Sequence, residues 1–220
     1  MNTRTLGVRL IGVVLASLAL ACNSGDSVST TTTSPTTGTF PNSSASATSD
    51  HVRWDIISVT SFAPLTIEAG GVAFASARNS PTLLTIKLTG SGTFVAPTSG
   101  GVSGAATGGG TWETFSDGVS TGSGTYTVKG LASWQFANFQ APGIIDHIGD
   151  TNERSNGNAV LRVEYSDGTL GTLGIGCHGP GAPDGIVEGV IATKGFVTYW
   201  DAEAPPPGVD KNRTSFHVEQ

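Results

Sequence analysis

Residues 177–188 bring together side chains that are capable of chemistry. Cys177 and His178 are adjacent, Asp184 follows, and Glu188 ends the segment. A thiol beside an imidazole can serve as nucleophile and base or bind a metal, whereas a histidine near a carboxylate can perform acid–base catalysis. The residues between His178 and Asp184 are glycine, proline and alanine. A turn is therefore expected to carry Glu188 back toward His178.

The strand that leads into this segment separates the cysteine from the histidine. Leu173, Ile175 and Cys177 share one face of the stretch TLGTLGIGCH, and His178 belongs to the other face. Successive side chains of a strand point in opposite directions, so Cys177 and His178 are not expected to form a dyad. Free cysteine is among the most frequently buried residue types, which favours a packed thiol. A reactive or metal-binding thiol is the alternative.

His178, Glu188 and Asp184 are the candidate catalytic residues. Glu188 interrupts an apolar row between Ile186 and Val190. A carboxylate in such a row is expected to be desolvated, with a raised pKa, and could act as an acid or base together with the imidazole. The alternative is a histidine at the rim that bonds to the turn, with Glu188 facing solvent.

A second group of polar residues lies in the loop DHIGDTNE, residues 146–153. Its oxygen-bearing side chains are of the kind that calcium prefers, but their spacing is not that of an EF-hand, so a solvated acidic loop is expected. His147 could share a metal site with His178 if the loop and the turn met at one end of the fold. His217 alternates with Phe216 and Val218, which predicts an exposed histidine on the final strand.

The tryptophans are candidates for a ligand-binding surface. Trp134 and Trp200 are the two that we assign to binding a small molecule or a carbohydrate, because indole rings stack well on sugars. The alternative is that they fill the core or the rim of a β-structure.

The elements that would position these residues are strands. Ala159, Leu161, Val163 and Tyr165 share one face of a segment whose other residues are mostly polar, which is the pattern of a half-buried antiparallel strand. No stretch has helical spacing. We predict about eight or nine strands near residues 52–60, 66–76, 82–96, 107–115, 123–138, 158–166, 169–178, 185–200 and 214–218.

The glycines and turns indicate how these strands connect. Long strands that contain glycine, such as 185–200, indicate strongly coiled strands that bend at the corners of a barrel or a tightly curved sandwich. An Asp167-Gly168 pair predicts a two-residue hairpin turn. Residues 97–110 are expected to form a flexible hairpin loop. They lack the helix and lysine of a phosphate-binding loop, so we predict no nucleotide or other cofactor. The predicted fold is an all-β antiparallel barrel, with a β-sandwich as the alternative.

The first residues have the pattern of an export signal. Arg4 and Arg9 precede an apolar run, residues 10–21, which is too short to span a bilayer. Ala19-Leu20-Ala21 fits the small-x-small rule for cleavage, and residues 18–22 resemble the lipobox of bacterial lipoproteins, in which the cysteine is lipidated. Residues 1–21 are thus predicted to be a signal peptide and Cys22 a lipidation site.

The segment after Cys22 favours the lipoprotein over a freely secreted protein. Residues 22–50 are nearly all Ser, Thr, Gly, Asn, Pro and Ala, which predicts a disordered tether, and a tether is useful when its end is fixed. Residues 51–220 are then a single β-domain. We expect an exported protein that is lipid-anchored in a bacterial envelope, in the outer membrane if the cell is Gram-negative; the alternative is secretion.

The charge of the chain excludes one class of partner. Loss of Arg4 and Arg9 reduces the 11 Lys+Arg to nine, against 17 Asp+Glu, a net charge of −8. Nucleic acids and anionic surfaces are bound chiefly through cationic side chains. We therefore expect no nucleic-acid partner, and expect the membrane to be contacted through the lipid.

Two resemblances accompany these patterns. The stretches TGGGTWETF, GSGTYTVKG and residues 177–200 resemble those of uncharacterised exported bacterial β-domain lipoproteins, over most of residues 82–218. The run GIVEG, residues 185–189, is similar to one found in allene oxide cyclase and dirigent barrels, and implies a small barrel with a lumen.

Two functions remain after the sequence analysis. The favoured one is a noncatalytic binding or structural module whose ligand is a small molecule or a carbohydrate. The alternative is a small barrel enzyme, of the isomerase, cyclase or hydrolase type, that uses His178 and Glu188 with help from Asp184.

Overall fold

The computed structural model describes residues 50–78, 82–96 and 105–219, which form β-strands joined by turns. The described strands are β1 (Asp50–Phe62), β2 (Leu65–Ala69), β3 (Ala73–Ala77), β4 (Leu84–Leu88), β5 (Ser91–Ala96), β6 (Ala106–Ser116), β7 (Val119–Phe139), β8 (Ile145–Asp146), β9 (Arg154–Tyr165), β10 (Leu170–Cys177), β11 (Gly189–Lys194), β12 (Val197–Tyr199), β13 (Asp201–Ala202) and β14 (Thr214–Val218). One 3-10 helix, Thr151–Glu153, precedes β9. No helix in these ranges is long and apolar enough to cross a membrane.

Six strands close on themselves into a barrel. Each pairs antiparallel with the next in the order β1, β5, β6, β7, β9 and β14, and β14 returns to β1. Six further strands extend this sheet: β10, β11 and β12 continue from the part of β9 beyond its pairing with β14, and β4, β3 and β13 continue from β6. Of the other two, β2 pairs with β1 and β8 pairs with β2. The prediction of an all-β antiparallel barrel is confirmed. The only parallel pair among the described strands is the short contact of β2 with β8.

The barrel can close because its longest strands are bent. β7 pairs with β9 along nearly the whole length of β9, and its register shifts three times, between Val128 and Gly130, Leu131 and Ser133, and Phe136 and Asn138. Each shift places an extra residue on one strand, which increases the local twist and bends the strand. The long glycine-containing strand expected near residues 123–138 therefore wraps around the barrel.

The inward faces of the strands form one main hydrophobic core. Alternate residues of β9, which are Ala159, Leu161, Val163 and Tyr165, are all buried, as their period-2 pattern predicts. Trp54 of β1 is fully buried, and Phe94 and Phe216 pack edge to face at a ring-centroid distance of 6.5 Å.

A second, smaller apolar cluster lies beside the main core. Ile57 and Val59 of β1 pack with Ile67 of β2 and Ile144, which precedes β8. The two-strand unit of β1 and β2 is thereby covered by the segment that connects β7 to β9. This cluster forms one wall of the candidate site.

Three of the predicted strands are each divided in the structure. Residues 66–76 form β2 and β3, residues 82–96 form β4 and β5, and residues 185–200 contain β11 and β12, with 185–188 outside any strand. At the first division a Cβ on Gly71 would lie 1.7 Å from the carbonyl oxygen of Ile57, so only glycine permits this approach to β1. These three divisions, together with the short strands β8 and β13 that lie outside the predicted ranges, give 14 strands in the described residues, where about eight or nine were expected.

The turns also differ in detail from the prediction. Asp167-Gly168 does join β9 to β10, but Tyr165 N–H donates to Thr169 O, and Gly168 has a φ of 82°. The connection is thus a three-residue loop with glycine in the left-handed region, not a two-residue turn. The two-residue turn with two positive φ values is Asp117-Gly118, between β6 and β7.

Part of the predicted flexible loop is a strand. Residues 106–110 belong to β6 and pair with β5 and β7. Residues 97–104 lie outside the described residues, as do the predicted signal peptide, Cys22 and the predicted tether up to residue 49.

Candidate functional site

The candidate site lies where two strands meet end to end. β10 ends at Cys177, β14 begins at Thr214, and residues 178–188 connect β10 to β11. Thr214 Oγ1 donates to Gly176 O at 2.7 Å, and this bond joins the end of β10 to the start of β14. Both strands also pair with β9. The segment singled out in the sequence is therefore held against the first residues of the last strand.

Cys177 is packed inward and His178 points outward. Cys177 is 1% exposed, whereas His178 is exposed, as the alternation of β10 predicts. Gln140 Nε2 donates to the Cys177 Sγ atom at 3.2 Å, and the thiol donates to Thr214 O at 3.4 Å. Burial raises the pKa of the thiol far above its ordinary value, so Cys177 stays protonated. A protonated, packed thiol is a poor nucleophile.

Glu188 forms a carboxylate clasp, a term we use for its bonds to His178 and Thr214. Its Oε2 atom accepts the backbone N–H of His178 at 2.5 Å, and its Oε1 atom accepts the backbone N–H of Thr214 at 2.6 Å. Both oxygens are thus used to tie the end of β10 to the start of β14.

The structure brings His178 and Glu188 together, but through the backbone of the histidine. The His178 imidazole uses Nδ1 to contact Ile186 O at 2.7 Å. A carbonyl oxygen can only accept, so Nδ1 carries the proton in this contact. Asp184 is exposed in the same connection. The imidazole is therefore directed at the turn, as in the rim-histidine alternative, while Glu188 is turned inward and not toward solvent.

The clasp has an unusual protonation equilibrium. Burial raises the pKa of Glu188 to about 6, although the hydrogen bonds from His178 and Thr214 lower it. A carboxyl group with this pKa exchanges protons near neutral pH, which is a property of acid–base catalysts and also of structural buried carboxylates.

We expect the clasp to make the protein more stable at pH 5 than at pH 7. The pKa of Glu188 rises from 4.5 to about 6 on folding, so the folded state binds more protons between these values. The free energy of unfolding then falls as the pH rises through this window, by about 1–2 kcal/mol in total. Urea denaturation at both pH values measures the difference.

Glu188→Gln should remove most of this pH dependence, because the amide does not titrate. Glu219→Gln is the matched control, since Glu219 is exposed just beyond β14. The pKa of Asp146 is lowered from 3.8, so its contribution to the free energy of unfolding is lost only at pH values below those compared here. Asp146 therefore does not affect the difference between pH 5 and pH 7. An unchanged pH slope in Glu188→Gln would contradict this assignment.

A cavity of about 190 Å³ opens beside the clasp. We call it the arginine cavity, because Arg154 and Arg213 line it together with Glu188, Cys177 and the segment from His178 to Pro180. Another part of its lining is apolar and consists of the second cluster. That wall is formed by Ile57, Val59, Leu65, Ile67 and Ile144.

Two polar atoms of the cavity wall lack partners within the described ranges. Nε of Arg213 and Oε1 of Gln140 are buried without a hydrogen bond there, whereas Nε of Arg154 faces Asp146 Oδ2 at 3.2 Å. Arg154 is 4% exposed, and burial is the largest influence on its pKa, which is lowered. Buried polar groups are normally hydrogen-bonded, so two unpartnered atoms around one cavity indicate a place for a polar ligand or water.

Arg154 is held in place by a buried ionic cluster. Asp146 Oδ2 lies 3.2 Å from Arg154 Nε and 2.9 Å from His217 Nε2, and all three side chains are at most 5% exposed. Burial alone would raise the pKa of Asp146. The hydrogen bonds from His217 and from the backbone N–H groups of Ile148 and Gly149 lower this pKa by more than burial raises it, so the net shift is downward. The carboxylate is therefore ionised beside the guanidinium.

This cluster corrects two expectations. His217 is 2% exposed and not a surface residue, because the loop before β9 covers the outer face of β14. The loop 146–153 is not uniformly solvated, since Asp146 is buried and Asp150 caps the 3-10 helix by accepting the N–H of Asn152. His147 instead contacts Glu68, with its Nδ1 atom 3.3 Å from Oε1. Within the described residues, no group of three His, Cys, Asp or Glu side chains could hold a metal ion.

The two candidate ligand-binding tryptophans lie in different environments. The Trp134 ring packs edge to face on Phe94 and Phe216, at centroid distances of 5.3 and 4.7 Å. Trp200 is 49% exposed between β12 and β13. The Trp134 ring is thus occupied by core contacts, which match the core alternative, and only the Trp200 ring has a large exposed surface.

Arg154, Arg213 and Gln140 line the site although nothing in the sequence pattern marks them as site residues. Arg154 opens β9 and is followed by the uncharged run SNGN, whose residues are buried or half-buried. That composition is more typical of a loop than of a covered strand end, so the sequence gives little indication that Arg154 is buried at a site. Gln140 lies in the connection from β7 to β8 and Arg213 in the connection from β13 to β14, and their position in the cavity wall depends on contacts between distant parts of the chain.

Comparison with known protein families, with curated proteins and with solved structures finds no match for this chain.

Proposed function

We propose that this chain is an exported, lipid-anchored β-barrel that binds a small ligand without transforming it. The export signal and the anchor are inferred from residues 1–22, and the tether from residues 23–50. The binding function is supported by one observation above the others. The arginine cavity combines an apolar wall with two buried polar atoms, Arg213 Nε and Gln140 Oε1, that have no partner in the described part of the chain.

The composition of the cavity is typical of a ligand site. Small-molecule sites are concave and mostly apolar, with a few polar groups that fix the orientation of the ligand. Here the second apolar cluster supplies the hydrophobic surface, and Arg154 and Arg213 supply the polar groups. The volume of about 190 Å³ suits a molecule slightly larger than benzene, which fits in a cavity of roughly 150 Å³.

The catalytic alternative has one supporting observation, the pKa of about 6 at Glu188. Against it, both Glu188 oxygens already accept backbone N–H groups, and the Nδ1 atom of His178 bonds to Ile186 O. A general base must have a free oxygen or nitrogen within hydrogen-bond reach of the proton that it abstracts. The carboxylate clasp leaves Glu188 little freedom for that role. Nε2 of His178 is free, but within the described residues the imidazole bonds to Ile186 O and not to Glu188, so the two do not form a catalytic pair and binding is the better-supported function.

Native mass spectrometry of the full chain tests the proposal. The protein is purified in mild detergent from the cells that produce it naturally, and its mass is compared with that of the polypeptide and its lipid. We expect an additional noncovalent mass of roughly 100–200 Da, as the cavity volume suggests. Conversion of an added candidate substrate into a product of different mass would instead indicate turnover.

A variant that fills the cavity provides the control. Leu65 is partly buried in the cavity wall, and Leu65→Trp should abolish the additional mass. Leu83→Trp, at a leucine that is 50% exposed, should retain it. A bare mass for the wild type, or an additional mass that Leu65→Trp leaves unchanged, would contradict binding in the arginine cavity.

A further inference from the structure

The charges around the arginine cavity balance one another. Arg154 Nε lies 3.2 Å from Asp146 Oδ2, so this guanidinium already has a counter-charge. Burial raises the pKa of Glu188 to about 6, and the positive charge of Arg213 is among the influences that lower it, so these two side chains also attract each other. The two arginines of the cavity wall are thus matched by two carboxylates. A charged ligand would add an uncompensated charge, which is costly in a poorly solvated site.

The two unpartnered polar atoms of the cavity wall differ in what they can bond. Arg213 Nε carries a hydrogen and can only donate, whereas Gln140 Oε1 can only accept. Neither atom has a partner within the described residues. A ligand that satisfies both must therefore contain an acceptor and a donor. A hydroxyl is the smallest uncharged group that offers both, since its oxygen accepts and its hydrogen donates.

The apolar wall calls for an apolar body on the same ligand. Ile57, Ile67 and Ile144 are at most 9% exposed, and all three line the cavity. An apolar group placed against them removes the surface of both partners from water, which is favourable. The volume of about 190 Å³ leaves room for a small polar substituent on a benzene-sized body, for which roughly 150 Å³ suffices.

We propose that the arginine cavity binds a small uncharged alcohol or phenol. Its apolar body lies against the second cluster, its hydroxyl oxygen accepts from Arg213 Nε, and its hydroxyl hydrogen is donated to Gln140 Oε1. This inference rests on the proposed function, since it names the ligand class of the same cavity.

Phenol, benzene and benzoate are three probes of similar shape that differ in hydrogen bonding and charge. Their binding to the full chain is measured by equilibrium dialysis at pH 8, with the same detergent on both sides so that uptake by micelles cancels. At this pH phenol is uncharged and benzoate is ionised. We expect phenol to bind roughly tenfold more tightly than either other probe, because it alone supplies both hydrogen bonds without a net charge. A purely apolar cavity would prefer benzene to phenol, since burying a hydroxyl without a partner is unfavourable.

Gln140→Met tests the acceptor without changing a charge. Methionine has a similar length but no amide oxygen, so the preference for phenol over benzene should fall by roughly threefold or more. Benzene should bind this variant about as tightly as the wild type, which shows that the cavity is intact. Gln135→Met, at an exposed glutamine of β7, is the matched control and should leave the affinities for all three probes unchanged.

Two further variants keep the test valid if Gln140→Met does not fold. Arg213→Met removes the donor, at a residue that is only partly buried, and should also reduce the preference for phenol over benzene. Leu65→Trp should abolish binding of all three probes by occupying the apolar side of the cavity.

The outcomes separate this inference from the proposed function. Benzene or benzoate binding as tightly as phenol would overturn the hydroxyl assignment while leaving a ligand cavity. A preference for phenol that both Gln140→Met and Arg213→Met retain would overturn it as well. Absence of binding for all three probes would contradict this inference, and a bare mass for protein from the producing cells would then overturn the binding function itself.

Discussion

Asp146→Asn should lower the free energy of unfolding by about 3–5 kcal/mol, which is the usual result of removing one partner from a buried ion pair. The side chain of Asp146 is buried, and its Oδ2 atom lies 3.2 Å from Arg154 Nε and 2.9 Å from His217 Nε2. Asparagine preserves the shape and can still accept the N–H of Ile148, but it leaves the buried guanidinium of Arg154 without a counter-charge. Urea denaturation at pH 7 should show a lower midpoint with an unchanged slope.

Two comparisons show whether the loss comes from the charge. Asp150→Asn changes an exposed aspartate of the same loop, and asparagine is an equally good capping residue, so its effect should stay below about 0.5 kcal/mol. Arg154→Gln combined with Asp146→Asn should be less destabilising than the sum of the two single changes, by about 1–3 kcal/mol, because the uncompensated charge is gone. A loss below about 1 kcal/mol in Asp146→Asn would mean that solvent already screens the cluster.

The error over His217 has a specific physical origin. Alternation with Phe216 and Val218 assigns His217 to the face away from the core, and in a half-buried strand that face is solvated. All five residues of β14 are buried, however, because the loop before β9 covers the second face. A period-2 pattern shows which residues share a face of a strand, but it does not show what covers that face. Here the outer face of β14 is covered by the loop that holds Asp146, which lies 71 residues before His217 in the chain.

The same distinction explains which parts of the fold were predictable. The inward row of β9 and the inward orientation of Cys177 follow from local alternation, and both are present in the structure. The division of residues 66–76 does not follow, because the apolar pattern continues across Gly70-Gly71 while the chain changes its pairing partner from β1 to β4. Alternation is insensitive to such a change of partner.

The candidate site was predictable only in part for a related reason. A glycine- and proline-rich turn brings Glu188 back to His178, and both lie at the end of β10. The sequence could not reveal that the backbone of His178, and not its imidazole, bonds to the carboxylate. Nor could it reveal the arginine cavity, which depends on contacts among β1, β2, β9 and β14.

Cys22→Ala should release the protein from the membrane. The proposed anchor is a lipid on Cys22. Each buried methylene group of an acyl chain contributes about 0.8 kcal/mol to membrane binding, so two or more acyl chains hold a protein firmly in the membrane. A polypeptide without the lipid has no such anchor. The substitution retains Ala19-Leu20-Ala21, so cleavage and export should continue. We expect at least nine-tenths of the wild type in the membrane fraction and at least nine-tenths of the variant in the soluble exported fraction.

Cys177→Ala is the matched control, because Cys177 is the other cysteine of the chain and is buried in the core. It should still incorporate radiolabelled fatty acid and remain in the membrane fraction, whereas Cys22→Ala should incorporate none. Release of both variants would point to a folding defect and not to loss of an anchor. Retention of Cys22→Ala in the membrane would contradict the lipoprotein assignment, since no other cysteine outside the core could carry the lipid.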